Sequence, residues 1–242
     1  MGRESGRWHS ERLGREIHLV RWGEIGTPVL FYPTAGGDAE ECERFLMIDA
    51  LGPLLEAGRI KLYSIDAVGT RTVLEEGTSR EHAAWVQNRF DEAVYREVVP
   101  AIRADCKSES IELIACGASL GAWNSLAAIC RHPYVFKSAI CMSGTYDLSR
   151  WIPDNSGEWR FCQPLMFLRE LDGGAHLDAL RKRFVVLAHG TGRWESPRES
   201  WRAADLLGSK GIPNRVDEWG GEWDHDWPTW RRMLPQYLGE LA

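Results

Sequence analysis

Ser119 sits in Gly117-Ala118-Ser119-Leu120-Gly121, a G-x-S-x-G pattern that follows the apolar run IELIAC (111–116) and leads into AWNSLAAIC, a stretch with helical spacing. A sharp strand-to-helix turn of this kind holds a serine in a strained conformation with its hydroxyl exposed. The residues two before and two after it pass so close to neighbouring backbone that a side chain would collide. A hydroxyl presented this way is a nucleophile if an imidazole takes its proton. The bland alternative is a glycine-bounded turn with an incidental serine.

Downstream, His132 ends the helix after the turn, His176 lies in an irregular segment and His189 closes a strand. His225 lies in GGEWDHDWP, a glycine-led loop between the last strand and the final helix. A base there can swing over the carboxyl end of a sheet, so His225 is the expected general base, against the reading of a surface histidine between two aspartates. With the partners in the order serine, acid, histidine, the acid belongs in HGTGRWESPRESW, whose first carboxylate is Glu195. Glu195 equally suits the first turn of a helix starting near Ser196, and Asp217 and Asp224 remain alternatives. For an oxyanion, the Leu120 N–H is one expected donor. Ala35 or Gly36, in the loop PTAGGD (33–38), is the other, with a plain glycine turn as the competing reading.

The elements that must position these groups read as alternating strands and helices, the mark of a mainly parallel sheet covered on both faces. Strands are expected at 16–22, 27–32, 60–65, 111–116, 136–142, 184–189 and 213–218, with helices near 39–57, 80–105, 121–131, 196–210 and 227–240. The clearest helical stripe is Ala84, Val86, Phe90, Ala93, Val94, Val98 and Ile102, which reads as core. Only Gly23 to Gly26 separate the first two strands, so an antiparallel hairpin edge is expected there. Residues 145–183, with Trp151, Pro153, Trp159, Phe161, Pro164 and Met166, break the rhythm and read as an insertion over the active-site side of one α/β domain spanning 1–242.

At 242 residues, 44% hydrophobic and 26% charged, the chain has the composition of one globular domain. A net charge of −6 without a basic cluster argues against nucleic acid. No run approaches the roughly eighteen apolar residues of a membrane span, and the polar start MGRESGRWHS is unlike a signal peptide. A cytoplasmic location is the resulting expectation. The six cysteines (Cys42, Cys106, Cys116, Cys130, Cys141, Cys162) contain no CxxC pair and read as reduced core residues.

Taken together, LFYPTAGG, CGASLGAWNSLAAICRHP, CMSGTYDLS and WDHDWPTWRRMLPQYL resemble a bacterial putative-esterase family related to esterase D and antigen 85, from about Trp8 to Leu238. The resemblance implies an α/β-hydrolase three-layer sandwich and a catalytic role for Ser119 and His225. Many α/β-hydrolases carry an aspartate where this chain has the basic Arg193; antigen 85-like enzymes use a glutamate in a glycine-rich loop, which Gly190, Gly192 and Glu195 resemble. The expected reaction is hydrolysis of a small carboxylic ester through an acyl-enzyme, with no metal and no organic cofactor. The rivals are an acyltransferase or thioester hydrolase on the same residues, and a silent binding protein of the same fold. Of the 12 tryptophans, Trp151, Trp194 and Trp223 are expected to touch substrate, and Trp159, Trp227 and Trp230 to lie nearby; packing is the competing use. No motif speaks to oligomeric state, which leaves a homo-oligomer open.

Overall fold

The computed structural model describes residues 2–148 and 157–242. Eight strands form one sheet: β1 (Arg3–Ser10), β2 (Arg15–Trp22), β3 (Thr27–Tyr32), β4 (Ile60–Ile65), β5 (Leu113–Ala118), β6 (Phe136–Met142), β7 (Phe184–His189) and β8 (Asn214–Glu218). Their order is β1-β2-β4-β3-β5-β6-β7-β8. The pairs β1–β2 and β2–β4 are antiparallel, and all others are parallel. The antiparallel edge is therefore as expected but is built differently: β2 pairs with β1 and β4, not with β3.

β1 was not expected, because RESGRWHS carries no apolar alternation. It is an edge strand exposed along most of its length, and its register from Arg3↔Trp22 to Ser10↔Arg15 is supplied by β2. Its charges and ion pairs suit an edge that must not recruit another strand.

The helices are α1 (Glu41–Arg44), α2 (Met47–Glu56), α3 (Val68–Leu74), α4 (Arg80–Ala93), α5 (Val99–Asp105), α6 (Leu120–Arg131), α7 (Gly157–Cys162), α8 (Pro164–Glu170), α9 (Ala175–Leu180), α10 (Pro197–Ser209) and α11 (Trp227–Leu241). Alternate residues of the central strands feed two cores. Val29, Phe31, Ile114 and Cys116 meet α2 and α11, whereas Leu30, Tyr32, Leu113 and Ala115 meet the layer containing α4, α6 and α10. The stripe from Ala84 to Ile102 is buried throughout. It is carried by two helices joined through a π-turn at Val94–Val98, because Pro100 has no N–H for the carbonyl one turn back. Five of the six free cysteines are buried, and burial pushes the Cys42 thiol up to about 12.

Three strands shift from their expected bounds. β2 begins one residue earlier and β8 one later, and β5 begins at Leu113 and runs on through Gly117 and Ala118 because these pair with Cys141 and Met142 of β6. Propensity alone ends the strand before a Gly-Ala pair; the neighbouring strand overrides it.

A Cβ on Gly121 would lie 2.3 Å from the Tyr32 carbonyl oxygen and one on Gly117 2.6 Å from the Gly121 backbone, so α6 presses directly on β3 and β5. Gly121→Ala should therefore lower the unfolding free energy by about 3 kcal/mol or more. Gly208→Ala, with open space around its Cβ in α10, should raise it by about 0.5–1 kcal/mol. Urea melts of the two variants check both signs.

Candidate active site

Ser119 lies between β5 and α6 with φ 57° and ψ −120°, a region that costs a non-glycine residue about 1–3 kcal/mol. Its N–H donates to the Met142 carbonyl at 3.0 Å, and its carbonyl accepts from Ala122 and Trp123. Strand and helix thus hold the strain from both sides. Leu120 opens α6, so its N–H has no partner within the helix. A Cβ on Gly121 would also approach the Pro33 carbonyl to 2.7 Å, which places the start of loop 33–38 against this turn.

That loop is a turn in which Gly37 N–H donates to Thr34 O at 3.2 Å. Gly36, with φ 75°, supplies the positive φ such a turn requires. The N–H groups of Ala35 and Gly36 are outside the turn's own bond. Arg71 of α3 donates to the Gly36 carbonyl at 2.9 Å and to that of Gly37. The buried Glu41 accepts from Thr34 N–H at 2.8 Å and Thr34 Oγ1 at 2.6 Å. Neither Arg71 nor Glu41 stands in a recognisable motif, and the sequence reading missed both.

Two further loops dock on each other through backbone. A Cβ on Gly190 or Gly192 would run into the Trp223 carbonyl, so the glycines of 190–192 are what lets the loop after β7 meet the loop after β8. Thr191 N–H donates to Gly220, Gly192 N–H to Trp223, and His225 N–H to Arg193. Asp226 then caps α11 by accepting from Trp227 N–H at 2.7 Å, which fixes where the loop ends.

This docking brings His225 Nδ1 to 3.9 Å from Glu195 Oε2. The Glu195 side chain is only 1% exposed, and its Oε1 accepts from Ser143 Oγ at 2.6 Å. Glu195 precedes α10 and accepts no capping bond there. Asp224 is engaged elsewhere, accepting from Arg193 N–H at 2.6 Å, and Asp217 pairs with Arg215 at 3.0 Å. The other downstream histidines are held away from this group: His132 pairs with Asp91 at 2.9 Å, His176 meets the Cys130 carbonyl, and His189 is buried in β7 near Glu218.

The tryptophans divide. Trp159 is buried against Trp123, with ring centroids 6.0 Å apart, and Trp227 and Trp230 are buried in or beside α11's core face. Packing, the competing reading, is the use the structure gives these three, while Trp230 also stands beside the His225 ring. Trp223 is half-buried and stands edge-to-face on Trp219, and Trp194 is 82% exposed. Trp151 lies outside the described residues, as does Pro153.

A largely parallel sheet between two helical layers, with the serine turn and both loops at the carboxyl ends of its strands, defines an α/β-hydrolase. The chain belongs to the family described as "Putative esterase", whose model matches residues 67–241, and is thereby an ester hydrolase by family. In fold it is similar to a ferulic acid esterase, with a TM-score of 0.73 and 15% identity over 100% of this chain and 99% of that one. It is similar to an S-formylglutathione hydrolase from Agrobacterium tumefaciens, with a TM-score of 0.73 and 14% identity over 98% and 93% of the two chains. It is also similar to MPT51 of Mycobacterium tuberculosis, with a TM-score of 0.73 and 16% identity over 100% and 98%. No curated protein matches the sequence. Among the described residues, no helix is long and apolar enough to cross a membrane.

Burial raises the Glu41 carboxyl above its ordinary value, against the two Thr34 donors, which act to lower it. A carboxyl raised by folding binds more protons in the folded than in the unfolded chain between its ordinary and its folded value. Its contribution is thus fully present below the ordinary value and lost as pH rises through the folded one. Glu41→Gln cannot titrate. Melting midpoints of both proteins across the acidic range should show the wild type losing ground to the variant as pH rises, on top of a constant offset from the changed hydrogen bonds.

Proposed function

We propose that the chain hydrolyses carboxylic esters in two steps through an acyl-enzyme on Ser119. His225 takes the Oγ proton as Oγ attacks the carbonyl carbon, and the oxyanion is received by the N–H of Leu120 together with that of Ala35 or Gly36. The tetrahedral intermediate collapses as His225 returns the proton to the departing alcohol. Water, activated by the same imidazole, then releases the acid and restores Ser119. Glu195 accepts the Nδ1 proton in hydrogen bonding, fixes the tautomer and balances the imidazolium charge.

The observation that carries this reading is the buried Glu195 carboxylate. Oε1 is bonded to Ser143, whereas Oε2 is buried without a hydrogen-bond partner and faces His225 Nδ1 at 3.9 Å. A buried carboxylate oxygen left unpaired is costly, and its cost is relieved when the neighbouring imidazole becomes charged. The gap exceeds a hydrogen bond, as is common for catalytic pairs without substrate. Asp224 and Asp217 are bound to other partners, which supports Glu195 over either.

The loop bearing Glu195 also carries Trp194, which has φ 68° and is 82% exposed. Strain and exposure together in one aromatic side chain support a contact with substrate at the rim of the site, beside Trp223. We read the described residues of 145–183, whose α7 and α8 pack against α4, α6 and α10, as an insertion within a single α/β-hydrolase domain.

Labelling with a fluorophosphonate probe tests the nucleophile: the wild type should take one label, and Ser119→Ala should take none and lose ester turnover while keeping its fold. An unlabelled wild type would favour a silent binding protein of the same fold. Turnover of nitrophenyl esters, thioesters and an added alcohol acceptor separates the esterase from a thioester hydrolase and an acyltransferase.

Glu195→Gln should lower kcat about a hundredfold or more with a melting midpoint close to wild type, because the amide keeps the shape but cannot hold an imidazolium. Stopped-flow or steady-state kcat beside Asp224→Asn and Asp217→Asn checks the assignment. A normal kcat in Glu195→Gln moves the acid elsewhere.

A further inference from the structure

Two polar groups outside the proposed triad touch both of its supporting members. Ser143 follows β6, is 3% exposed and has φ 47°. Its N–H donates to the Ala188 carbonyl at 2.7 Å, which ties it to the end of β7. Its hydroxyl donates to Glu195 Oε1 at 2.6 Å and accepts from the Trp230 indole N–H at 2.9 Å. The same Trp230 ring stands edge-to-face with the His225 imidazole, centroids 5.2 Å apart and planes at 83°.

We infer that Ser143 and Trp230 are positioning residues for ester turnover, a pair that saturates Glu195 Oε1 and seats the His225 ring so that Oε2 alone is left to meet Nδ1. The inference rests on the triad proposed above. Its logic is directional. An indole N–H only donates, so Ser143 Oγ must accept from it. The single hydroxyl proton is then committed to the carboxylate, where a hydrogen bond to a charged acceptor is short and strong. The carboxylate cannot rotate without breaking that bond, and the imidazole cannot tilt towards Trp230 without striking its ring. One residue of α11 therefore sets the acid, by way of Ser143, through its nitrogen and the base through its ring.

The spacing of the carboxyl-terminal run follows from this geometry. His225 lies just outside α11 and Trp230 on its first turns, with Asp226 capping between them. The helix that buries Trp230 in the core thereby fixes the wall against which the base rests.

The test is kinetic and uses a nitrophenyl ester. Ser143→Ala should lower kcat about tenfold or more, in line with loss of a hydrogen bond to a charged group, with KM within about twofold. The acidic limb of its kcat/KM profile should move to lower pH, because a misplaced Glu195 supports the imidazolium less. Trp230→Phe keeps a ring beside His225 but removes the indole donor. It should show a smaller loss in the same direction, and it carries the test if Ser143→Ala does not fold.

In a Glu195→Gln background, Ser143→Ala should add little further loss, since members of one unit are not additive. Losses that multiply in that background, or an unchanged pH profile with only a lower melting midpoint, would overturn the inference and leave Ser143 a structural residue. A Glu195→Gln variant with normal turnover would overturn the triad, and this inference with it. A crippled Glu195→Gln beside a fully active Ser143→Ala and Trp230→Phe would overturn this inference alone.

Discussion

The approach of Gly121 to the Tyr32 carbonyl, where a Cβ would stand at 2.3 Å, is the contact on which the rest of the site depends. It means that α6 leaves β5 with its first turn pressed against the end of β3, and Ser119, the residue that joins them, takes the strained conformation. The same contact brings Pro33 against the turn, so the loop after β3 begins beside the candidate nucleophile. Strain of about 1–3 kcal/mol at one residue is sustainable because it is set against two continuous apolar cores, one on each face of the sheet.

That arrangement extends sideways along the sheet. Among the described residues, five non-glycine residues have positive φ, and Ser119, Ser143 and Trp194 follow β5, β6 and β7 in turn. Ser119 and Ser143 mark the points where buried parallel strands turn sharply at their carboxyl ends, and Trp194 lies further along the loop after β7. From β7 onwards the arrangement is held by backbone more than by side chains. Gly190 and Gly192 admit the Trp223 carbonyl, three N–H groups of the two loops find carbonyls across the contact, and Asp224 adds a fourth link to Arg193. An aspartate beside the candidate base therefore works as a brace between loops, and the carboxylate that faces the imidazole at 3.9 Å, Glu195, comes from the opposite loop.

Much of this was legible in the sequence, for identifiable reasons. Strands buried on both faces, such as VVLAH or VLFY, read as apolar β-branched runs. The serine turn reads because its two glycines are demanded by contacts, and the loop carrying His225 reads because it falls between the last apolar strand and the final amphipathic helix. What could not be read is what depends on partners distant in sequence. β1 is polar and becomes a strand only because β2 offers it a ladder. Short α3 has no periodicity to detect, although it supplies Arg71 to the loop at Gly36 and Gly37. Glu41, in a helix of one turn, looks like any surface glutamate until Thr34 folds onto it. Ser143 is an ordinary serine in CMSG unless Glu195 and Trp230 are known to surround it.

The tryptophans show why composition alone misleads about a site. An indole brings a large apolar area and one donor, and the core uses both. Trp123 and Trp159 stack while Trp123 Nε1 donates to Gln163, Trp219 donates to Tyr237, and Trp227 lies against both Phe31 and Phe45. Each of these side chains has its area covered by the chain itself. Trp194 does not: the fold holds its backbone left-handed and leaves 82% of the residue in water. Since hydrophobic area is stabilising only when removed from water, this residue gains nothing from the folded chain by its ring. The loop that presents the ring is the one that carries Glu195, and that placement, more than the exposure, is what supports the substrate contact proposed above.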